Sequence, residues 1–266
     1  MLLRRTAEEA DARHLVPAAW VLSTKPRAGG LLCGEADRSA LLRDLGIEEV
    51  VTDRFEEIRA LSCEEFVDSR LIGRMHAAFA LCGEDFRFGR DRAGDALLLQ
   101  KLLRERGGDC LILPTLCAGG EPVSSTRIRT LLQSGDCASA AALLGRPFFI
   151  ESEAIPGRGE GKTLGFATAN QRLPAGLLAP KRGVYLSRVT LPDGRAYPAL
   201  TNFGCHPTFG AAEEPVFESH IPDYRGGPLY GSRLKLELLR YLREERTFPT
   251  PEALCEQIAK DLASIS

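Results

Sequence analysis

The residues best suited to do chemistry in this chain lie in one glycine-rich stretch, residues 157–170. Glycines allow the backbone to approach a ligand closely and to turn its N–H groups toward an anion. A threonine hydroxyl can ligate Mg²⁺, and an asparagine amide can hydrogen-bond a phosphate group. The combination is typical of a nucleoside triphosphate site. The candidate ligand groups are Gly157, Gly159, Gly161, Lys162, Thr168 and Asn170.

Residues 161–163 (Gly-Lys-Thr) match the end of the P-loop pattern G-x-x-x-x-G-K-[ST], but their surroundings do not. Pro156 stands where the pattern requires its first glycine, and no helical pattern follows Thr163, although a P-loop must open a helix. By composition alone, a glycine-rich turn between two strands favours a structural role. A phosphate-binding function therefore needs support from the surrounding sequence.

Two segments of the first half also carry groups suited to nucleotide chemistry. An apolar strand predicted at 77–82 leads directly into a loop that contains Asp85, and open α/β sheets bind ligands at such strand ends. Ser125, Thr126 and Arg129 lie at the start of a predicted helix, where free N–H groups and an arginine fork can bind phosphate. Ordinary turns and helix caps are the alternative interpretation of both segments.

The length and composition describe a folded protein of about two domains. The chain has 266 residues, of which 44% are hydrophobic and 26% are charged. A formal net charge of −2 and a pI near 6.2 give no sign of binding to nucleic acid or an anionic membrane, and no apolar run is long enough to span a bilayer. The eight cysteines include no C-x-x-C pair, which indicates reduced thiols and a cytoplasmic enzyme.

The first half alternates strand-like and helical segments, which is typical of a parallel α/β sheet. Residues 62–65 (Ser-Cys-Glu-Glu) form a capping-box pattern before a helix predicted to run to residue 72. Asp95 and either Ser124 or Ser125 are predicted to cap later helices, and Gly145 is predicted to end the last one.

After Gly145 the pattern changes to short alternating runs separated by turn residues, which predicts an antiparallel sheet or a small barrel. Thr250 is predicted to cap a final helix that reaches about residue 263. We therefore expect two domains, residues 1–145 and 146–266. The predicted strands of the second domain cover residues 148–154, 184–191, 197–202, 216–221 and 233–241.

Seven sequence blocks follow one another in the second half. The blocks are residues 145–148 (Gly-Arg-Pro-Phe), the glycine loop ending in 164–170 (Leu-Gly-Phe-Ala-Thr-Ala-Asn), 183–185 (Gly-Val-Tyr), 202–209 (Asn-Phe-Gly-Cys-His-Pro-Thr-Phe), 218–224 (Glu-Ser-His-Ile-Pro-Asp-Tyr), 229–231 (Leu-Tyr-Gly) and 242–248 (Leu-Arg-Glu-Glu-Arg-Thr-Phe). Their order and content resemble riboflavin kinase, the C-terminal module of bacterial bifunctional riboflavin kinase/FMN adenylyltransferases (FAD synthetases). Two positions depart from the family pattern, since Ala167 replaces a proline and His206 replaces an arginine.

The first half resembles the FMN adenylyltransferase module of the same family. The matching blocks are residues 61–66 (Leu-Ser-Cys-Glu-Glu-Phe), 83–89 (Gly-Glu-Asp-Phe-Arg-Phe-Gly) and 123–129 (Val-Ser-Ser-Thr-Arg-Ile-Arg). The family's opening strand with its Gly-x-Phe-Asp-Gly-x-His-x-Gly-His motif is absent from this sequence. Lys25 and Arg27 stand near the place of a second family motif, Pro-His-Pro. We therefore expect this domain to be incomplete at its N-terminus.

The resemblance implies a Rossmann-like nucleotidyltransferase domain followed by a six-stranded Greek-key-like β-barrel with a C-terminal helix. It implies ATP-dependent phosphorylation of riboflavin to FMN, with Mg²⁺, as the main activity, and little adenylylation of FMN to FAD. Two alternatives remain open: a fully bifunctional enzyme whose true start lies upstream, and a non-catalytic flavin-binding regulator. The implied ligands are ATP, riboflavin and FMN; we expect no nucleic acid or membrane partner, and the oligomeric state stays open.

The resemblance also implies roles for single residues. Glu218 would be the base that takes the proton from the riboflavin 5′-hydroxyl, whereas the residue by itself indicates only a solvated strand position. Thr168 would ligate Mg²⁺ with support from Asn170, and Arg243 would belong to a flap near the flavin. We expect a structural role for His220. The implied ATP contacts of the adenylyltransferase module are Asp85, Ser125, Thr126 and Arg129.

Overall fold

The structure, a computed structural model, describes residues 2–23, 29–157, 167–205, 215–222 and 224–246, together with positions 250, 253, 256, 257, 260 and 261. Its contacts divide the chain into two compact units. The first consists of Met1–Arg27 and Glu35–Val123, and the second of Ala28–Gly34 and Ser124–Ser266. The domain boundary expected at Gly145 stays a prediction, because a division by packing does not define where one functional domain ends and the next begins.

The first unit is an α/β arrangement in which the longer strands pair in parallel, as predicted. Strand β1 pairs with β2, and β3 pairs with β6; among the described residues no strand joins these two pairs into one sheet. The elements, in chain order, are α1 (Leu2–Arg13), β1 (Ala18–Ser23), α2 (Glu35–Asp44), β2 (Glu49–Arg54), α3 (Phe55–Ile58), α4 (Cys63–Phe66), a π-helix (Val67–Ile72), β3 (Phe79–Gly83), β4 (Arg87–Phe88), a 3₁₀ turn (Arg90–Arg92), β5 (Gly94–Asp95), α5 (Ala96–Arg104), β6 (Asp109–Leu113), β7 (Cys117–Ala118) and β8 (Glu121–Pro122).

The predicted helix from Ser62 to residue 72 is right at its start and different further on. The capping box forms, because Glu65 N donates to Ser62 Oγ at 3.1 Å and Ser62 N donates to Glu65 Oε2 at 2.7 Å. The α-helix then widens into a π-helix, in which Gly73 N donates to Asp68 O five residues earlier. Sequence patterns at helical spacing do not distinguish such a widened turn from regular helix.

The first unit has a mixed apolar and charged interior. Trp20 packs edge-on against Phe66 at 5.0 Å between ring centroids. The Trp20 indole N–H also donates to the buried carboxylate of Asp53 at 2.9 Å, and Arg74 and Arg70 form ion pairs with the same carboxylate. Because a buried charge is costly unless it is paired, these partners account for an aspartate inside the unit.

The second unit is built around a closed antiparallel barrel, as predicted, with strand order β10-β13-β12-β11-β14-β9. Described positions 253, 256, 257, 260 and 261 are helical, and Ala253 N donates to the predicted cap Thr250 at 3.3 Å. The elements are α6 (Ser125–Ser134), α7 (Cys137–Leu144), β9 (Phe148–Ile155), β10 (Ala167–Arg172), β11 (Gly183–Thr190), β12 (Ala196–Cys205), β13 (Pro215–Ile221) and β14 (Arg233–Arg243).

Two features of this unit differ from or refine the sequence expectations. Strand β10, the sixth of the barrel, is not among the predicted runs, because its sequence (Ala-Thr-Ala-Asn-Gln-Arg) contains no large apolar residue. Its neighbours β13 and β9 supply the pairing that its own sequence does not indicate. The helix caps are as predicted: Ser124 accepts from Arg127 N, and Gly145 ends α7 at φ 72°.

The barrel interior contains large apolar side chains and one chain of hydroxyls. Ser187, Thr201 and Ser219 are fully buried. The Thr201 hydroxyl is hydrogen-bonded to the Ser187 hydroxyl at 2.6 Å and to the Ser219 hydroxyl at 2.9 Å. Gln171, also fully buried, donates to Ser152 O on the neighbouring β9 at 3.0 Å and to Leu234 O on β14, the strand beyond it, at 2.9 Å. The largest fully buried side chains of the barrel are Tyr185, Phe148, Phe203, Phe217, Ile150, Ile221 and Leu234.

Candidate active site

Three neighbouring barrel strands bring together Thr168, Asn170 and Glu218, three of the predicted kinase residues. In the β10–β13 pairing, Thr168 lies opposite His220 and Asn170 lies opposite Glu218. In the β12–β13 pairing, Asn202 lies on the other side of Glu218. Directly opposite residues of an antiparallel pair have Cβ atoms about 4.5–5.5 Å apart. The strand register therefore places these five side chains in one compact group.

This group occupies the face of the strands that points away from the barrel interior. The alternate residues Ala169, Thr201 and Ser219 are buried inside the barrel. Because successive side chains of a strand point to opposite faces, Asn170, Asn202 and Glu218 belong to the other face. Glu218 and Asn202 are half-buried, so a ligand can reach them while part of each side chain is shielded from water.

The edge of the glycine loop touches this group through Gly157. A Cβ atom at Gly157 would lie 3.0 Å from the amide carbon of Asn170, so the absence of a side chain at position 157 leaves room for that amide. The predicted ligands Gly159, Gly161 and Lys162 lie outside the described residues, as do Lys25, Arg27 and His206.

Two groups on β10 and β13 have unusual surroundings. The Thr168 hydroxyl oxygen is buried and has no hydrogen-bond partner among the described residues. An orphaned buried hydroxyl of this kind is suited to receive a ligand. Burial lowers the pKa of the facing His220 below its usual value of 6.5, so its imidazole is neutral at neutral pH.

A carboxylate that sequence reasoning did not select also joins the group. Glu245 Oε1 accepts a hydrogen bond from Asn202 Nδ2 at 2.6 Å. Its block, residues 242–248, was considered only for Arg243, and no periodic signal links Glu245 to a strand residue 43 positions earlier. Arg243 itself forms a nearly buried ion pair with Asp261 at 2.8 Å, so its predicted flavin contact stays a prediction.

Asp85, the candidate of the first unit, is exposed in the loop after β3. Its carboxylate lies against Gly83, where a Cβ atom would come within 2.7 Å of Asp85 Oδ1. The neighbouring Glu84 accepts from Thr115 N at 2.9 Å, and this hydrogen bond lowers the pKa of Glu84. The loop is therefore bonded to the segment after β6, with Asp85 left at its surface.

Ser125, Thr126 and Arg129 belong to helix α6 of the second unit. Ser125 and Thr126 are exposed in the first turn, and Ser124 provides the cap. Arg129 Nε donates to Gly30 O at 2.8 Å, although the two residues are 99 positions apart. This hydrogen bond orients the Arg129 guanidinium group, a feature that helix patterns do not reveal.

The Gly30 carbonyl is itself held in place by the barrel unit. Leu31 N donates to Gly176 O, and Leu178 N donates to Leu31 O, both at 2.8 Å. Gly30 adopts φ +82°, and a Cβ atom there would lie 2.6 Å from Leu178 N. Only glycine combines this left-handed conformation with such a close backbone approach.

Among the described residues no group of three histidine, cysteine, aspartate or glutamate side chains is arranged to hold a metal ion. None of the described helices is both long and apolar enough to cross a membrane.

Comparison with known proteins identifies relatives of both halves. A family model described as riboflavin kinase matches residues 144–266, and one described as FAD synthetase matches residues 13–127. A bifunctional riboflavin kinase/FMN adenylyltransferase from Escherichia coli (strain K12) is 32% identical over an alignment that covers 98% of this chain and 85% of the relative. Its counterpart from Pseudomonas fluorescens is 36% identical over 220 residues, or 82% of this chain and 70% of the relative.

A solved structure is also similar over nearly the whole chain. It is described as a macrolide-efflux protein from Streptococcus pneumoniae and aligns with a TM-score of 0.86 at 26% sequence identity. The alignment covers 98% of this chain and 87% of that protein.

Proposed function

Because the chain belongs to the bifunctional riboflavin kinase/FMN adenylyltransferase family, we propose that it phosphorylates riboflavin to FMN and adenylylates FMN to FAD. The observation that carries the kinase proposal is the group of side chains on β10, β13 and β12. Glu218 lies there between Asn170 and Asn202, and Thr168 is on the same face of β10 as Asn170, two residues before it. Phosphoryl transfer to an alcohol needs a base for the alcohol proton and groups that bind the phosphates and their metal ion. Glu218 can act as the base, the Asn170 amide can bind phosphate, and the Thr168 hydroxyl can bind the metal ion.

In the kinase reaction Glu218 accepts the proton of the riboflavin 5′-hydroxyl. The hydroxyl oxygen then forms a bond to the γ-phosphorus of ATP, the bond from that phosphorus to the β–γ bridging oxygen breaks, and ADP departs. Asn170, held opposite Glu218, donates its amide N–H to a phosphate oxygen. Because such reactions depend on positioning and charge neutralisation, rigid placement of these residues by strand register accounts for much of the rate.

The residues present fit a magnesium ion. Thr168 Oγ1 is an oxygen donor without a partner among the described residues, and Mg²⁺ prefers oxygen ligands and is often shared between protein and substrate phosphates. When bound, Mg²⁺ neutralises charge on the phosphates of ATP. Thr168→Val removes the oxygen and keeps the branched shape, so we expect the reaction to require more Mg²⁺. An unchanged Mg²⁺ titration would show that Thr168 only packs.

For adenylyl transfer we propose that Asp85, Ser125, Thr126 and Arg129 contact ATP. Ser125 and Thr126 present exposed hydroxyls at the N-terminal end of α6, and helix N-termini suit phosphate binding. The Gly30 carbonyl orients Arg129 for a contact to phosphate. The expectation of little FAD rests on a motif absent from these 266 residues, whereas the relatives that cover the chain carry both activities in their names.

The proposed ligands are ATP, riboflavin, FMN and Mg²⁺, and we propose a cytoplasmic location. The efflux function named for the S. pneumoniae protein does not enter the proposal, because both family models and the enzyme relatives agree on flavin nucleotide synthesis. A non-catalytic flavin regulator has no use for a base, so the placement of Glu218 beside Asn170 favours an enzyme.

The test is incubation of the purified chain with ATP, Mg²⁺ and either riboflavin or FMN, followed by chromatographic separation of the flavins. Formation of FMN from riboflavin supports the kinase, and formation of FAD from FMN supports the adenylyltransferase. FMN without FAD would agree with the sequence expectation. If neither product forms, the proposal is wrong.

A further inference from the structure

The hydrogen bond between Asn202 and Glu245 indicates a role for two residues that the sequence did not select as site residues. Asn202 stands directly across the strands from Glu218, and its Nδ2 donates to Glu245 Oε1 at 2.6 Å. Its Oδ1 atom is buried and has no hydrogen-bond partner among the described residues. We propose that Asn202 Oδ1 accepts a hydrogen bond from a side-chain hydroxyl of riboflavin, and that Glu245 is the positioning residue that holds the Asn202 amide in this orientation.

Glu245 determines which end of the amide faces the ligand. An ionised carboxylate can only accept hydrogen bonds, so the NH₂ end of Asn202 must face Glu245. The carbonyl end is then presented to the other side as an acceptor. Without Glu245 the amide can turn over and present a donor in place of the acceptor.

The groups around the site specify the chemistry of the ligand. Glu218 and Asn202 lie on adjacent strands and both offer oxygen acceptors. Side chains directly opposite each other are about 5 Å apart at Cβ, which suits two hydroxyl donors along one carbon chain. Phosphate lacks donors and would be repelled by Glu218 and Glu245. The inference rests on the proposed kinase function, and it assigns the polyol chain of the flavin to this pair of acceptors.

Gly204 leaves the space that Glu245 occupies. A Cβ atom at position 204 would lie within 2.6 Å of the Glu245 carboxyl carbon. Gly204 is not among the glycines with left-handed φ, so the backbone there tolerates alanine. Gly204→Ala therefore displaces the Glu245 carboxylate without altering any titratable group, and it offers an independent way to remove the same hydrogen bond.

The experiment compares Asn202→Ala, Glu245→Ala, Gly204→Ala and the Glu245→Ala/Gly204→Ala double variant. We measure the Kd of riboflavin by quenching of flavin fluorescence and the KM values of riboflavin and ATP. Lumiflavin, which has the same ring system without the polyol chain, serves as the second ligand. The matched control is Glu244→Ala, because Glu244 is exposed and its side chain forms a 3.7 Å ion pair with Lys181, away from Asn202.

We expect each single substitution to weaken riboflavin binding about tenfold, the effect of one hydrogen bond of about 1.4 kcal/mol. Lumiflavin binding and the KM of ATP should not change. The double variant should be no weaker than Glu245→Ala alone, because both changes remove one interaction. Glu245→Gln, which keeps an acceptor oxygen, should recover most of the affinity, whereas a purely structural role would not select for an acceptor.

Three outcomes would overturn the inference. Riboflavin affinity could be unchanged in Asn202→Ala and Glu245→Ala, riboflavin and lumiflavin could be weakened equally, or the KM of ATP could rise instead. The wild-type assay separates this failure from that of the proposed function. A wild-type chain that makes no FMN contradicts the kinase proposal itself, whereas a kinase insensitive to these substitutions contradicts the role of Asn202 and Glu245 alone.

Discussion

The two units of this protein use β-strands in opposite ways. Every strand of the barrel pairs on both edges, in the closed order β10-β13-β12-β11-β14-β9. In the α/β unit, β1 with β2 and β3 with β6 form separate parallel pairs among the described residues. A closed barrel satisfies its backbone hydrogen bonds internally, whereas an open pair leaves N–H and C=O groups along its edges.

This difference affects how each unit places its candidate residues. In the barrel, Thr168, Asn170 and Glu218 sit on neighbouring strands, so hydrogen-bond register fixes their relative positions. In the α/β unit, Asp85 is exposed on a loop. A site built on strands is held more rigidly than a site built on loops. We therefore expect a single substitution at a candidate residue to change the reaction rate more in the barrel than in the α/β unit.

The largest effect is expected from Glu218→Gln, which keeps the shape of the side chain and removes its basicity. We expect the kcat of riboflavin phosphorylation to fall by ~10²–10⁴-fold, with riboflavin affinity retained and adenylylation of added FMN unchanged. The control is Glu151→Gln on β9, whose carboxylate forms an ion pair with Arg233 at 2.8 Å. Turnover like that of the wild type in Glu218→Gln would exclude Glu218 as the base.

The second prediction tests whether the two units unfold independently. Asp53→Asn removes the buried charge that pairs with Arg74 and Arg70, and it should cost the α/β unit about 1–3 kcal/mol. Trp20 is the only tryptophan of the chain and contacts Asp53, so its fluorescence reports this unit. The urea midpoint of the α/β unit, followed by Trp20 fluorescence, should fall. The urea midpoint of the barrel, followed by the fluorescence of bound flavin, should stay constant.

The exposed Glu49, on the same strand β2, supplies the control variant Glu49→Gln. Equal shifts of the tryptophan and flavin transitions in Asp53→Asn would mean that the two units unfold as one body.

A smaller effect is expected from Gly30→Ala, at a position that lies between β1 and α2 in sequence but belongs to the second unit. The new Cβ atom would clash with the backbone of Leu178 and move the carbonyl that orients Arg129. We expect the KM of ATP in adenylyl transfer to rise about tenfold, the effect of one hydrogen bond, with riboflavin phosphorylation unchanged.

Gly194→Ala is the matched control, because Gly194 has φ +85° and open space around it. If Gly194→Ala and Gly30→Ala raise the KM of ATP equally, the effect comes from backbone strain and not from Arg129.

The smallest effect concerns His220, whose pKa burial lowers below 6.5. The unfolded chain then binds this proton more tightly than the folded barrel, so stability is lost as the pH falls below about 6.5. In His220→Gln that loss should be absent. Urea unfolding of the barrel at about pH 7.5 and pH 5.5 measures it, and equal acid sensitivity of both proteins would contradict the assignment.

Local features of this protein could be predicted from the sequence because their causes are local. The capping box at Ser62, the cap Asp95, which accepts from Leu98 N at 2.8 Å, and the left-handed end at Gly145 all form as predicted. Each depends on one side chain and the backbone within a few residues of it. The alternation of apolar residues likewise predicted five of the six barrel strands.

Ordered motif blocks identified the family and selected Thr168, Asn170 and Glu218 without any knowledge of distances. They could not show that Glu218 lies directly opposite Asn170, because register depends on the pairing of whole strands. Strand β10 was not predicted because it forms through pairing with β13 and β9, which its own sequence does not indicate.

Tertiary structure alone decided the contacts between distant segments. Glu245 contacts Asn202 across 43 residues, Arg129 contacts Gly30 across 99, and the buried Asp53 meets Trp20 and Arg74. A hydrogen bond between side chains far apart in sequence leaves no periodic pattern, since it depends on where the folded chain brings the two groups. The sequence therefore determined the family, the helix caps and the chemical groups, and the folded barrel determined which of those groups stand side by side.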